Sequence, residues 1–295
     1  MKPNKLTRAV ILAAGLIGLF SMDANARTLI QNKGSDTLVN VAQAWADAYL
    51  RVKPSVAVTV SGGGSGTGIA AMINGTVDLA NSSRSIKQKE LDQAKKNRIK
   101  PLEHIVGFDA LAIFIHKDNP LQAITLQQLK DIYVDGGKTV KWGQLGVKVP
   151  GCKSDEIIVV GRQNNSGTYF YFQETILGEK NNFRLETKEM HDSKGVVDLV
   201  EKTPCAIGYS GLAYGTPLVK KPLVAKDDST PPVEANMANA ITRAYPITRP
   251  LFIYSKGEPT GEVKNYLKWI KSDIGQCIIK EKGYAPAQPV NCVKK

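Results

Sequence analysis

Histidine is scarce in this chain, and the spacing of a metal site is missing. His104, His116 and His191 are the only three histidines among 295 residues. They lie far apart, and no CxxC pair accompanies them, so nothing resembles a zinc-ligand set. Long basic runs are lacking too. The formal charge is +12, yet the lysines come in pairs at most, and RNP-like aromatic signatures and zinc-finger spacings are absent. That pattern argues against nucleic acid and for a diffuse positive field that draws in small anions. Beyond the first 26 residues, no apolar stretch approaches the roughly 20 residues needed to span a bilayer.

Those first residues have the layout of a secretory signal peptide. Lys2, Lys5 and Arg8 form a basic start, Ala9 to Phe20 is unbroken apolar sequence, and Ala24-Asn25-Ala26 fits a small-x-small cleavage site. No cysteine follows the apolar run to take a lipid anchor. Residues 1–26 are therefore expected to be removed and the rest exported to the periplasm as a soluble protein. With Lys2, Lys5, Arg8 and Asp23 set aside, the mature chain keeps a charge of about +10.

All four cysteines, Cys152, Cys205, Cys277 and Cys292, fall in the mature part. An even count in an exported chain suggests disulfides, and four cysteines allow three pairings. A Cys277–Cys292 bridge is favoured because it would staple an otherwise loose tail, which leaves Cys152 for Cys205.

Short β-rich runs alternate with helical patterns throughout, the signature of an α/β fold. Val56, Val58 and Val60 alternate as in a half-buried strand. Leu111–Ile115, Ile157–Val160, Ala206–Tyr209 and Leu251–Tyr254 are continuous apolar runs of the buried kind. Val41, Trp45, Ala48 and Tyr49 share one helical face, as do Val263, Tyr266, Leu267 and Ile270. The proline-rich stretch 217–232 reads as a surface excursion, and 244–250, with two prolines before a strand, reads as a crossing between domains.

Three segments repeat one design: glycine and small polar residues follow a strand and precede a helix. They are Gly34-Ser35-Asp36-Thr37, Gly64-Ser65-Gly66-Thr67-Gly68 and Asn164-Asn165-Ser166-Gly167-Thr168. A helix start carries unpaired N–H groups and about half a positive charge. Glycine lets an anion approach the backbone and hydroxyls add donors, so such a site holds an oxyanion without metal or cofactor. Taken singly, each segment is more simply a capped helix. The glycine cluster is not a nucleotide loop, because Ile69 stands where GxxxxGK[ST] needs lysine, and GxGxxG is incomplete. Arg162 precedes Ser166 by four residues at a strand's end and offers a planar fork of donors to a tetrahedral oxyanion. Enzymatic turnover is not expected, since Ser35, Ser65 and Ser166 have no histidine in their loops.

In the order GSDT, SGGGSGTGI, VDLANSSRSI, RQNNSGTYFYF and YPITRPLFIY, these motifs resemble the periplasmic phosphate-binding proteins of phosphate-specific ABC transporters, over nearly the whole mature chain. The resemblance implies a type II periplasmic-binding fold: two α/β lobes, joined by two crossing segments, that close on phosphate. Residues 27–110 plus 250–295 would form lobe I and 111–249 lobe II, with 108–112 and 246–250 as the crossings. Ligand contacts carried over are Asp36, Thr37, Ser65, Arg162, Ser166, Gly167 and Thr168, with Ser35 as an extra donor.

One position departs from the family pattern. Where known members carry a proton-accepting aspartate, five residues after Asp78, this chain has Ser83, followed by Arg84. A carboxylate only accepts, so it rewards a protonated phosphate and repels fully ionised sulfate. Asp36 or Asp109 is expected to take over that part, and Arg84 either reaches the anion or pairs with an acid. The resemblance also implies an inner-membrane ABC permease as partner, a monomeric receptor and no cofactor. Sulfate, arsenate or molybdate binding, phosphate sensing and a phosphatase-like activity remain as alternatives.

Overall fold

The computed structural model describes residues 27–292; the expected signal segment, 1–26, lies outside the described residues. In chain order the first part comprises β1 (Thr28–Gly34), α1 (Val39–Val52), β2 (Val56–Ser61), α2 (Ser65–Ile73), β3 (Leu79–Ser82) and α3 (Gln88–Lys96). A 15-residue strand, β4 (Leu102–His116), leads into β5 (Ala123–Thr125), α4 (Leu126–Tyr133), β6 (Ile158–Arg162), α5 (Gly167–Phe172), β7 (Lys188–Met190) and α6 (Ser193–Lys202). The chain continues through β8 (Ala206–Gly211), β9 (Val219–Lys220), β10 (Leu223–Ala225) and α7 (Met237–Ile241). It returns along β11 (Thr248–Ser255) and ends with α8 (Gly261–Ile270), α9 (Asp273–Glu281) and β12 (Ala285–Pro286).

The main sheet runs β2-β1-β3-β11-β4-β8-β6-β7. On one side β1 lies parallel to β2 and β3, and on the other β6 lies parallel to β7 and β8. Two long strands join the halves. β4 pairs antiparallel with β11 over 102–110 and with β8 over 111–115. Parallel strands need crossover helices, which cover both faces of each half.

The strand sequences show how both faces are filled. Along β11, Leu251 and Ile253 enter a cluster with Ile30, Trp45, Tyr49 and Tyr266, while Phe252 and Tyr254 enter another with Ile69, Met72 and Ala80. The two-residue period of a strand sends alternate side chains to opposite faces, so an apolar run without polar breaks is what a doubly covered strand requires. A third, larger cluster, including Leu111–Ile115, Trp142, Val160, Phe172 and Tyr209, fills the other half. Each fully buried side chain of this size contributes roughly 1.5–3 kcal/mol relative to exposure.

One expectation needs correction in detail. The stretch 217–232 is not merely a surface excursion, because β9 pairs with the end of β4 and β10 with β5. The helix after Gly167 keeps its α form only to Phe172 and continues as a π-helical turn over 173–177. Both cysteine pairs form as expected, Cys152–Cys205 and Cys277–Cys292, with Cα separations of 5.0 and 5.6 Å. No helix among the described residues is long and apolar enough to cross a membrane.

Candidate functional site

The three glycine and hydroxyl loops follow the carboxyl ends of β1, β2 and β6, where open parallel sheets place their ligand crevices. The topology brings them together. Gly66 N–H donates to the Asn165 carbonyl at 3.0 Å, and Asn165 Nδ2 donates to the Gly63 carbonyl at 3.1 Å. A methyl group on Gly167 would fall against Ser65 Oγ and Ser83 Oγ, so glycine is required for this close approach.

A group of hydroxyls is buried at this junction: Ser35, Thr37, Ser65, Ser83, Ser166 and Thr168 are each at most 2% exposed. Ser35 Oγ donates to Ser83 Oγ at 2.9 Å, and Ser83 N–H donates to Ser65 Oγ at 3.1 Å. Thr37 Oγ1 and Thr168 Oγ1 stand 3.1 Å apart. Ser166 caps α5, its Oγ accepting from the N–H groups of Thr168 and Tyr169 at 3.1 and 3.4 Å. That bonding leaves its own proton free to donate outward.

Arg162 enters the junction from the end of β6. Its Nη2 donates to Asp36 Oδ2 at 2.6 Å and to the His191 carbonyl at 3.0 Å, Nη1 donates to Ser193 Oγ at 3.0 Å, and Nε donates to the Met190 carbonyl at 3.3 Å. Of the five N–H donors of a guanidinium, one on Nη1 remains. Burial lowers the arginine's pKa, and Asp36 opposes that effect. Asp36 Oδ1 in turn accepts from Gly63 N–H at 2.8 Å, which ties the first loop to the second. The peptide carbonyls of Asp36 and Thr37 accept from the hydroxyls of Tyr214 and Tyr284, so those two polar groups are satisfied by side chains.

Ser83 joins the cluster, but Arg84 does not bond to it. Its guanidinium pairs with Glu90 through two bonds of 2.7 and 2.9 Å and lies over the Phe170 ring. Of the two readings open in the sequence, the structure shows the acid pair. Asp109 is fully buried and holds another arginine that sequence reasoning missed: Arg249 Nε and Nη2 donate to Asp109 Oδ2 at 3.1 and 2.8 Å, and Leu212 N–H donates to Oδ1 at 3.2 Å. Burial pushes the Asp109 carboxyl up, and Arg249 opposes it. Arg249 also donates to Thr37 Oγ1, Thr168 Oγ1 and the Ser83 carbonyl, at 3.2, 3.0 and 3.3 Å. The available signal was an arginine inside the apolar run ITRPLFIY.

Each of these three arginines has one carboxylate partner: Asp36, Glu90 or Asp109. The six charges cancel, so the junction presents an anion mainly with hydroxyl and peptide dipoles. Neither His104, whose Nε2 pairs with Ser255 Oγ at 2.9 Å, nor His116, beside Asp118, bonds to any of the clustered hydroxyls.

Comparison with known proteins places this chain in a family. A family model described as the PBP superfamily domain matches residues 21–273. The phosphate-binding protein PstS of Pseudomonas aeruginosa is 37% identical over 268 residues, which cover 87% of this chain and 82% of that protein. A Clostridium perfringens ABC-transporter substrate-binding protein solved with bound phosphate has a TM-score of 0.79 at 29% identity, covering 88% of this chain and all of that one. An ABC-type phosphate transport receptor from Vibrio cholerae has a TM-score of 0.69 at 25% identity, again over 88% and 100% of the two chains. The chain has the type II binding-protein fold and belongs to the PBP superfamily and, within it, to the family of the PstS phosphate-binding proteins.

Proposed function

We propose that this protein captures inorganic phosphate outside the cytoplasm and delivers it to an ABC permease, binding without turnover. The observation that carries this reading is the convergence of buried hydroxyls from both sides of a junction that the Arg162–Asp36 pair spans. A small tetrahedral anion needs many donors at close quarters, and dipoles fixed in advance replace its water shell without a net positive charge. Among the described residues, the hydrogen-bond partners of the clustered serines include no histidine to act as base, which supports binding over nucleophilic catalysis.

Residues 27–110 with 250–295 act as one lobe and 111–249 as the other, hinged where β4 passes from β11 to β8. Phosphate first meets Thr37 and Ser65; closure then adds Arg162, Ser166, Gly167 and Thr168. Ligand shifts the population toward the closed form because only that form makes both sets of contacts. Ser35 and Ser83 complete the ring of donors. Asp36, rather than Asp109, is the acceptor for the ligand's proton. Its two oxygens have one bond each and lone pairs to spare, while Asp109 is engaged with Arg249 and Leu212. The receptor works as an exported monomer released by its signal peptide.

Calorimetric titration with phosphate, sulfate, arsenate and molybdate in parallel tests this reading. Stoichiometric binding with phosphate strongly preferred over sulfate is expected. Preference for sulfate or molybdate, or sustained release of product from a phosphoester, would overturn it.

A further inference from the structure

Arg249 is entirely buried, and its place is set by two adjacent strands: β11 and β4 pair with Arg249 directly opposite Asp109. A buried ion pair adds little stability over well-packed apolar residues, so its presence needs another reason. The hydrogen bonds supply one. Arg249 Nη2 donates to Thr37 Oγ1 and Nη1 to Thr168 Oγ1, and these two oxygens come from opposite sides of the junction.

We propose that Arg249, oriented by Asp109, is a positioning residue that fixes the polarity of the Thr37 and Thr168 hydroxyls so that both face the bound oxyanion as donors. This rests on the anion-binding reading above. Each hydroxyl has one proton and two acceptor sites. A guanidinium donates and cannot accept, so neither threonine proton points to Arg249. In this structure the two oxygens are 3.1 Å apart, so one hydroxyl donates to the other; with an anion between the lobes both protons turn to it. Asp109 returns the charge of Arg249, so the arginine supplies orientation without adding to the field that a more highly charged anion would exploit. The third bond, from Nη1 to the Ser83 carbonyl, locks the same guanidinium to the loop after β3, so its angle to the threonines is held from two directions.

The test is a mutant cycle with Arg249→Gln and the pair Thr37→Val/Thr168→Val. It is read by calorimetric titration with phosphate and, separately, by thermal unfolding. Two charge-assisted hydrogen bonds are lost, so Arg249→Gln should weaken phosphate binding by about 30- to 100-fold. In the background lacking both threonine hydroxyls, the same substitution should weaken it by no more than about threefold, because it acts through them. Arg249→Lys, which keeps the pair with Asp109 but lacks the two-pronged donor, should fall between wild type and Arg249→Gln. Arg249→Gln alone leaves a buried carboxylate unpaired, so Asp109→Asn/Arg249→Gln serves as the folding control and should reproduce the loss. Equal losses in both backgrounds, or wild-type affinity in Arg249→Gln, would overturn the proposal. Should wild type bind none of the four oxyanions, the functional reading fails by itself. The unfolding cycle then reads the hold of Arg249 on the two threonines by itself: non-additive shifts in Tm show that the coupling exists without an anion role, and additive ones overturn the orienting role as well.

Discussion

The guanidinium of Arg162, at the end of β6, meets the carboxylate of Asp36, in the loop after β1, at 2.6 Å across the junction. Asp36 gives one oxygen to the arginine and one to Gly63 N–H, so a single side chain ties both parts of the site. Asp36→Asn keeps the shape but replaces two acceptor faces with a donor. Phosphate affinity should fall at least tenfold, on the order expected for a lost charge-assisted bond, and sulfate should lose less. Parallel titrations with the two anions read this directly. An unchanged phosphate-to-sulfate ratio would mean that the acceptor lies elsewhere.

Gly167→Ala separates closure from folding. Its backbone is not in the left-handed region, so alanine costs no strain, but the new methyl would press on Ser65 Oγ and Ser83 Oγ. These atoms lie on the facing side, where the loops after β2 and β3 approach α5. The variant should unfold within a few degrees of wild type yet show little compaction in solution scattering when phosphate is added. Affinity should drop by about one to two orders of magnitude, since overpacking costs about 1–3 kcal/mol.

Much of this was legible in the sequence because the relevant signals are local. Each anion loop is a strand, a glycine-hydroxyl segment and a helix start in succession, and periodicity suffices to place α1, α8 and the buried strands. Arg249 was missed because its role depends on a pairing register 140 residues apart in sequence, opposite Asp109, and on two hydroxyls from separate loops. Arg84 was ambiguous for a similar reason: only the fold brings Glu90, at the first turn of α3, under its guanidinium. The short strands β9 and β10 lay hidden in proline-rich sequence, where their partners in β4 and β5, not their own propensities, make them strands.

At the rim of the junction, Lys87 lies over the ring of Phe170, with Arg84 beside it. Loss of hydration, helped by the charge of Arg84, lowers the Lys87 pKa from 10.5 to about 8; Glu90 and Glu174 oppose the shift and Lys89 adds to it. On the two-lobe reading proposed above, opening would return water to the ammonium and restore its ordinary value. Between pH 8 and 10.5 the closed form then holds fewer protons than the open one, so rising pH favours closure, while below pH 8 the lysine is charged in both and adds no pH dependence. Phosphate affinity of wild type relative to Lys87→Met should therefore increase from pH 8 upward, and closing should release a proton detectable in buffers of different ionisation enthalpy. A ratio that stays flat across this range would show that Lys87 does not sense closure.

The C-terminal strap offers a test remote from the anion. After α9 the chain turns so that β12 pairs with β4 at Phe108 and Gly107, beside the point where β4 changes partners. Tyr284, just before it, is buried and donates its hydroxyl to the Thr37 carbonyl, while Ala285 packs into the core of the other half. The tail thus touches the first loop, the crossing strand and both cores, and Cys277–Cys292 closes a 15-residue separation around it. By chain entropy such a loop is worth about 3 kcal/mol. Cys277→Ser/Cys292→Ser should lower Tm by several degrees. The variant should also weaken phosphate binding, because Tyr284 is then less firmly held beneath the loop that carries Thr37. Tyr284→Phe, which leaves the disulfide intact, should reproduce the binding loss with a smaller change in Tm. If the serine variant lowers Tm but binds phosphate as tightly as wild type, the strap stabilises the fold alone and has no part in shaping the site.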